Sequence, residues 1–572
     1  MISTARRGVC ASSFLFIAAL AACAEPQAQP PALPSTAVVP PPQVVPPAPP
    51  VKEDAFAVKG PFRPDLRPAA PSRDVSTIAS VSAHQTVAWK KAVPTSSPIC
   101  KPYLEKPRKK PAIACDTFLP SGEGKSDGVG TLLLSALSEA DAPKRDALLR
   151  ELAACKGIAQ AELVALRATL GPPECADAIV GPVAESPAAV AALDKRLAHT
   201  LVGLWLSGQL ARTVPPIPRM SPPFTKDAVI KFTNGPIRMW FSSQATAVDE
   251  LSKLGATLEG QGRAIVAIEA GLADMRFVER ARDVPMPDEW KKDPEIAQVY
   301  QTSLDQAMEP RKLRGRDAAL TGLNDSASLG VLQDTRISRA RVLLSKLYGG
   351  SRIDALDGLI LPPAHAEPTN ATLAQKLSGR LPIGFGERLL GAPAHDAGAL
   401  DAASTQGLPA AFRGKDGTPE ALFDRIARVR IDLAKVYFRG AEADQVLSLA
   451  EGRVEKLSSP EARFYIALAL ALRHGPEGAA AMMKAASPAA LELRHTAALD
   501  ELAAGSGPYA GIAAFDAAWL RQLSPPSDAS AEYFADLAKR FAAAEAKLTN
   551  AADKAKAKER ATLAEETSKI VR

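Results

Sequence analysis

The 572-residue sequence predicts a mainly α protein, in which a helical-hairpin repeat array follows a disordered Pro-rich linker. Apolar residues recur at the helical period from about residue 131 onward. Aromatic residues make up only 5% of the chain while alanine is abundant, a composition that favours helices over sheets. The chain is long enough for about two to four domains.

Residues 1–22 have the organisation of a signal peptide. Arg6 and Arg7 precede an apolar run from Gly8 to Ala22, which is too short to be a membrane-spanning helix. The run ends in Leu20-Ala21-Ala22-Cys23, with a leucine three residues before the cysteine. This ending resembles the lipobox of bacterial lipoproteins. An ordinary signal peptide with an incidental cysteine is the alternative.

The resemblance to lipoproteins implies cleavage before Cys23, diacylglycerol on the Cys23 sulfur and usually a third acyl chain, such as palmitate, on the new amino group. Each buried methylene contributes about 0.8 kcal/mol, so two or more chains anchor a protein stably to a membrane. Residue 24 is alanine, not the aspartate that tends to hold members of this family at the inner membrane. The resemblance therefore implies lipid anchoring at the outer membrane, facing the periplasm or the cell surface.

Residues 23–71 are the predicted lipid-anchored, Pro-rich linker. Eleven prolines lie between Pro26 and Pro50, among alanine, valine and glutamine. Such a stretch cannot bury a core and favours extended polyproline II. At about 3.1 Å per residue, residues 24–50 would reach about 80 Å at full extension. Proline stays frequent up to Pro71, so we expect the folded body to begin after that residue.

Four of the six cysteines remain once the signal peptide is removed and Cys23 is lipidated: Cys100, Cys115, Cys155 and Cys175. An even number in an exported chain predicts two disulfides. Cys100 and Cys115 bracket a Pro-rich loop, and a bond between them would contribute roughly 3 kcal/mol. Cys155 with Cys175 follows by elimination, although a helix between them would carry the chain nearly 20 Å away. A metal site is one alternative, but no histidine lies at zinc-ligand spacing from these cysteines. Free buried thiols are the other alternative.

Residues 72–130 are predicted to be an irregular, cysteine-containing segment with a basic loop. From Lys90 to Lys110 the chain holds seven basic residues against the single acid Glu105. One interpretation is a loop that binds anionic lipid head groups or another polyanion. The other is a solvated loop held by a disulfide, which we favour because charge runs are usually solvated.

Residues 131–348 are predicted to be an N-terminal helical region. Lys156-Gly157 separates two helices, and Gly171-Pro172-Pro173 ends the second. Asn234-Gly235 is a hairpin signal, but Pro236 suits a first helical turn, so we expect a helix to start near Pro236. Further helices are expected at about 201–210, 243–258, 262–282, 294–309, 316–330 and 335–348.

Residues 349–417 are predicted to be a loop-rich connector, and residues 418–546 to be C-terminal helical repeats. The connector is rich in Gly, Pro, Ala and Asp around Leu359-Ile360-Leu361-Pro362-Pro363. In the repeats, proline suits the first helical position and a following acid suits the positive end of the helix dipole. Such starts recur at Thr418-Pro419-Glu420, Ser459-Pro460-Glu461, Gly475-Pro476-Glu477 and Ser487-Pro488.

The spacing of helix ends in this part also indicates repeats. Gly440 and Gly475 follow comparable helices 35 residues apart, and Gly507 comes 32 residues later. Periods in this range are typical of helical repeats. Residues 547–572, rich in Ala, Lys and Glu, are predicted to form a charged, solvated helical tail.

On these residues the chain resembles tetratricopeptide repeats over about 420–525, and more faintly over 131–350. Phe464 and Ala480 occupy the family's aromatic and small positions, whereas Leu468 and Ala471 depart from its pattern. The resemblance implies a curved stack of helix hairpins with a concave face that binds protein partners.

No motif typical of a nucleophile, a metal site or a phosphate-binding loop occurs, so we expect no catalytic, metal-binding or cofactor-binding residues. Loss of Arg6 and Arg7 lowers the net charge from +6 to +4, too mild a value to predict binding of nucleic acid.

Three function classes remain. The favoured one is a lipid-anchored cell-envelope scaffold or adaptor that binds unidentified envelope proteins through its helical repeats. The alternatives are an envelope hydrolase with an unrecognised site, and a lipid or polysaccharide carrier with a cavity between the helical halves.

Overall fold

The structure, a computed structural model, describes residues 54–64, 71–83, 93–105, 128–155, 158–214, 217–348, 353–363, 373–378, 380–382, 385, 419–473, 496–523, 525–526 and 528–571. Over these residues the protein is mainly α-helical and contains no β-strand, which confirms the predicted fold class. Residues 54–572 form one compact unit, and residues 1–53 lie outside the described residues.

Short helices open the described body. They are α1 (Val75–Ala83), α2 (Gly128–Ser138), α3 (Ala142–Leu152), α4 (Gln160–Leu170), α5 (Ala176–Ala184) and α6 (Pro187–Ala191). Asp141 caps α3, because its carboxylate accepts the Lys144 backbone N–H at 2.9 Å. The 3-10 turns Pro98–Tyr103 and Pro173–Cys175 lie between these helices in the chain.

Longer helices follow. They are α7 (Lys195–Ala211), α8 (Lys226–Phe232), α9 (Arg238–Gly255), α10 (Gly260–Ala281), the short α11 (Asp288–Lys291), α12 (Pro294–Leu329) and α13 (Thr335–Tyr348). The two helices expected at about 294–309 and 316–330 are one helix, α12, which contains Pro310. Proline removes one N–H without ending the helix here, because the C-terminal half of α12 is held against α10.

Asn234-Gly235 does not form a hairpin, and no new helix starts at Pro236. Instead, the π-helical turn Thr233–Ile237 joins α8 directly to α9. A π turn inserts an extra residue into the helical ladder, which accommodates a proline that has no N–H to donate. The helical stretch therefore starts ten residues earlier than expected, at Lys226.

The remaining helices are α14 (Leu373–Ser378), α15 (Pro419–Tyr437), α16 (Gly440–Ala450), α17 (Pro460–Leu472), α18 (Ala497–Ala504), α19 (Ala510–Leu523), α20 (Ala531–Lys547) and α21 (Ala551–Ile570). Neighbours such as α15 and α16, and α20 and α21, pack against each other, as expected of helix hairpins. The predicted cap Ser459 accepts the Ala462 N–H at 2.9 Å. The predicted starts near Gly475 and Ser487 lie outside the described residues.

Two large apolar cores and a small cluster around Trp240 and Phe277 hold the body together, and α10 contributes to all three. The first core combines Ile268 and Leu272 of α10 with α12, α13 and the C-terminal helices α15–α21. The second core combines Ile265 and Val266 of α10 with α1–α7, and also takes in Phe385 from the connector. The N-terminal and C-terminal helical regions therefore share the first core, while the second core belongs to the N-terminal region and the connector.

Three helices approach each other closely at glycines. A Cβ on Gly203 of α7 would lie 2.5 Å from the Gly262 Cα of α10. A Cβ on Gly271 of α10 would lie 2.6 Å from the backbone nitrogen of Ala319 in α12. Since real Cβ atoms do not approach backbone this closely, only glycine permits these helix contacts. They make α7, α10 and α12 the rigid centre of the N-terminal part.

The predicted tail is a helix, and one of its faces is packed. Asn550 caps α21 by accepting the Ala552 N–H at 2.8 Å. Ala557 and Ala564 are buried in the first core, while Leu563 and Ile570 are exposed. The tail is thus solvated on one side only.

Candidate functional site

Two extended segments of the chain lie on the C-terminal helices α15–α21. We call residues 54–64 the strap and residues 353–363 the inner segment. Neither is a helix apart from the single 3-10 turn Ala355–Gly358. The sequence predicts that the strap belongs to the linker and that the folded body begins after Pro71. Phe56 corrects that boundary, because its side chain is 5% exposed and packs into the first core.

The inner segment is held mainly through its backbone. Side chains from three C-terminal helices, α15, α19 and α21, bind its carbonyl and N–H groups. The bonds are Lys435 Nζ to Leu359 O (2.9 Å), Lys556 Nζ to Gly358 O (2.5 Å), Trp519 Nε1 to Ala355 O (3.1 Å), Arg428 Nη1 to Pro362 O (2.5 Å) and Ile360 N to Asp516 Oδ1 (2.8 Å). Because backbone groups are common to all residues, such bonds recognise an extended shape more than a particular sequence.

The side chains of the inner segment fill the groove beneath these bonds. Leu356, Leu359 and Ile360 are all buried in the first core. Gly358 passes directly over the Trp519 ring, where a Cβ would lie 2.0 Å from the ring carbons. At this position the groove therefore has room for glycine only.

Burial shifts the protonation of two groups beside the inner segment. Desolvation raises the pKa of the fully buried Asp516 carboxyl well above its ordinary value, against the opposing effect of the Ile360 N–H bond. Desolvation also lowers the pKa of Lys556, and nearby Lys435 acts in the same direction. These opposed shifts are the cost of placing charged side chains where they can bind a buried backbone.

The strap is held by charged and polar side chains of α16 and of the end of α17. Arg63 donates from Nε to Asp444 Oδ2 at 2.6 Å, and its backbone N–H donates to the same oxygen at 3.1 Å. Further bonds to the strap backbone are Arg473 Nη1 to Lys59 O (2.8 Å), Arg473 Nη2 to Pro61 O (3.0 Å), Gln445 Nε2 to Arg63 O (2.7 Å) and Gly60 N to Glu451 Oε1 (3.1 Å). As in the inner segment, backbone groups are the main target.

Two cations also lie over the aromatic rings of the strap. The Arg473 guanidinium is 5.1 Å from the Phe62 ring centroid, and the Arg463 guanidinium is 4.4 Å from that of Phe56. Both distances are in the range of cation–π attraction. Gly440 leaves room for the strap, since a Cβ there would lie 2.9 Å from Arg63 Nη2.

The cysteines pair differently from our expectation. Cys100 is bonded to Cys175, with 5.3 Å between their Cα atoms, so the predicted pairs Cys100–Cys115 and Cys155–Cys175 are wrong. Cys155 is also disulfide-bonded. Cys115 and the lipidation candidate Cys23 lie outside the described residues.

Tertiary contacts explain why Cys100 meets Cys175. Arg167 Nη2 donates to Tyr103 O at 2.9 Å, and Arg212 Nε donates to Pro94 O at 2.8 Å. These bonds hold the segment around Cys100 against α4 and α7, next to the turn that carries Cys175. Closeness in sequence had favoured Cys115 instead.

Sequence analysis missed the residues that hold the two segments. A usable signal was present at Asp516, which is a single charge among the apolar residues of its helix. A charge placed on a buried helix face requires a partner, which here is a backbone group of another segment.

In the described part of the chain, no group of three or more His, Cys, Asp or Glu side chains could hold a metal ion. Within those same residues, no helix has the length and apolar character needed to cross a membrane. No family model, curated protein or solved structure matches the chain.

Proposed function

We propose that the protein is a lipid-anchored adaptor of the bacterial cell envelope, which binds partner proteins through its C-terminal helices. One observation carries the proposal: α15–α21 already hold two extended segments of the same chain through side-chain bonds to backbone groups. A helical surface that binds extended segments of its own chain has the side chains needed to bind an extended segment of another protein. Stacked helix hairpins commonly present such surfaces.

The anchor in this proposal is lipid on Cys23, followed by the proline-rich linker. Because packing begins at the strap, the linker comprises residues 24–53, which at about 3.1 Å per residue would extend up to about 90 Å. Its function is to hold the C-terminal helices away from the membrane, where envelope proteins can reach them. Labelling cells with a radioactive fatty acid tests the anchor, because Cys23→Ser should abolish incorporation. Equal incorporation in both proteins would refute lipidation.

Partner binding is tested by photo-crosslinking in intact cells with the full chain. A photoreactive residue at Ser448, exposed on α16, should capture envelope proteins. The same residue at Ser135, exposed on α2, is the matched control and should capture few or none. Equal capture from both positions would contradict the assignment of binding to the C-terminal helices. Truncation is unsuitable, since it would remove most of the shared first core.

A further inference from the structure

The strap and the inner segment differ in how firmly they are held. Each comprises eleven residues, but six strap residues are exposed against two in the inner segment. The strap buries one large side chain, Phe56, whereas the inner segment buries Leu356, Leu359, Ile360 and Ile353. Since burial of apolar area dominates binding of a segment, the strap is the one that can leave without unfolding the body.

The surface beneath the strap would keep its charge pairing if the strap left. Asp444 is 4% exposed, and Arg473 Nε lies 3.4 Å from Asp444 Oδ1, so the two helices α16 and α17 supply a standing ion pair. Without Arg63, Asp444 Oδ2 would lose its closest cation, and Arg473 would lose two carbonyl partners. The vacated surface would thus present Asp444 as an acceptor for a guanidinium and Arg473 as a donor for backbone carbonyls. The ion pair between Asp444 and Arg473 already orients both side chains.

We infer that this surface, formed by Asp444, Gln445, Glu451, Arg463 and Arg473, is the binding site for an extended partner segment that resembles the strap. The segment carries two aromatic residues six positions apart and an arginine directly after the second, as Phe56, Phe62 and Arg63 do. The strap covers the site until such a segment displaces it. This inference rests on the proposed adaptor function and names the partner chemistry and its regulation.

Because the strap and a partner segment compete for the same site, the strap sets the affinity that a partner needs in order to bind. A tethered segment acts at an effective concentration of about a millimolar, so only a partner that binds more tightly or is present at high local concentration displaces it. Displacement also lengthens the tether, because the strap directly follows the linker in sequence. A partner would thereby release the C-terminal helices to reach farther from the anchor.

The test is fluorescence anisotropy with a labelled synthetic peptide of residues 54–64 and the full-length protein in detergent. Arg63→Ala weakens the strap in cis, and we expect this variant to bind the peptide at least tenfold more tightly than the parent. Adding Asp444→Asn to that variant should lower the affinity at least tenfold. The same peptide carrying Arg63→Ala should bind more weakly than the parent peptide.

Matched controls separate the site from general charge effects. Arg282→Ala and Asp305→Asn break an exposed Arg–Asp pair on the N-terminal helices, where the two groups are 3.0 Å apart. Neither should change peptide affinity. Circular dichroism melting of each variant confirms folding, so a loss of affinity in a variant that melts like the parent reports on the site.

Two results would overturn the inference. In one, the folded Arg63→Ala variant binds the peptide no better than the parent. In the other, two copies of the parent protein form a dimer by exchanging their straps. Light scattering would show this as a mass that rises with protein concentration, and the partner segment in the site would then come from a second copy of this chain. Capture of proteins from Ser448 together with either result would leave the adaptor function standing and refute only this inference. Peptide binding as expected without capture from Ser448 would refute the adaptor function alone.

Discussion

The N-terminal and C-terminal helices use the same elements for different kinds of contact. In the N-terminal part, α7, α10 and α12 meet backbone to backbone at Gly203, Gly262 and Gly271. In the C-terminal part, α15–α21 place long charged side chains around two extended segments. Close glycine contacts fix one arrangement of helices, because nothing can move between them. Side chains that reach out to backbone groups leave room for a chain segment, and this makes the C-terminal part suited to binding.

Ion pairs show the same difference. Asp274 of α10 accepts from Arg311 at 2.8 Å and from Arg314 at 2.7 Å, which links α10 to α12 inside one body. Asp444 instead accepts from Arg63, 381 residues away in the sequence and in a separate extended segment. An ion pair between two packed helices stabilises the helical body. An ion pair between a helix and an extended segment instead determines which segment binds to the helix surface.

The largest expected effect concerns the disulfide, which is confined to the N-terminal part. Cys100–Cys175 spans 75 positions and should contribute about 4 kcal/mol in the chain-entropy model. The described C-terminal helices contain no cysteine. Reduction should therefore increase hydrogen exchange in α4 and α5 far more than in α19 and α20. Equal changes in both parts would mean that the shared first core transmits the loss.

Peptide mapping under non-reducing conditions checks the pairing itself. A Cys100–Cys175 crosslink is expected. Recovery of a Cys100–Cys115 crosslink would contradict the structure.

The glycine contacts should give the next largest effect. Gly271→Ala inserts a methyl group 2.6 Å from the Ala319 backbone, and overpacking of this kind costs about 2–3 kcal/mol. Gly235→Ala is the matched control, because no atom lies within 4 Å of its Cβ position. Urea unfolding followed by circular dichroism measures both. If the two variants unfold at the same urea concentration, α10 and α12 can separate, and the N-terminal part is not the rigid one.

A smaller effect is expected where the inner segment crosses Trp519. Gly358→Ala should cost about 1–2 kcal/mol, since the ring can shift aside more readily than backbone can. Displacement of the ring should also change the tryptophan fluorescence of the folded protein. Gly507→Ala, with no atom near its Cβ position, should leave both measurements unchanged. An unaltered spectrum for Gly358→Ala would show that the groove is looser than the structure indicates.

The smallest effect is a pH dependence at Asp516. Because burial raises its pKa in the folded protein, the folded state keeps a proton that the unfolded state releases above about pH 4. Stability should therefore fall as the pH rises from 4 toward the folded-state pKa of Asp516. The cations Lys435 and Lys556 lower this pKa and reduce the effect, whereas Asp553 raises the pKa and increases the effect.

Asp516→Asn tests this dependence, because it keeps an oxygen for the Ile360 N–H and removes the charge. Its advantage over the parent in urea unfolding should be greater at pH 8 than at pH 5, because only the parent loses stability as the pH rises. An advantage that is equal at both pH values would show that Asp516 is ionised throughout.

Local interactions made several features predictable from the sequence. The helical period and the alanine content were sufficient to predict a mainly α fold. Ser459 was recognisable as a cap because its hydroxyl needs only the N–H of Ala462, three residues later. The prediction of two helices where the structure has only α12 was wrong. Pro310 favours a helix end locally, but packing against α10 overrides that preference.

By itself, the sequence determined the helical class, many helix starts and the presence of cysteines suited to disulfides, since each depends on residues within a few positions of one another. Only the tertiary structure decided that Cys100 pairs with Cys175, that the two helical regions share a core, and that the strap and the inner segment lie on the C-terminal helices. These features depend on contacts such as Arg63 to Asp444, across 381 positions. Periodicity carries no information about such contacts, because the same charged residue is equally compatible with solvent until the fold brings its partner to it.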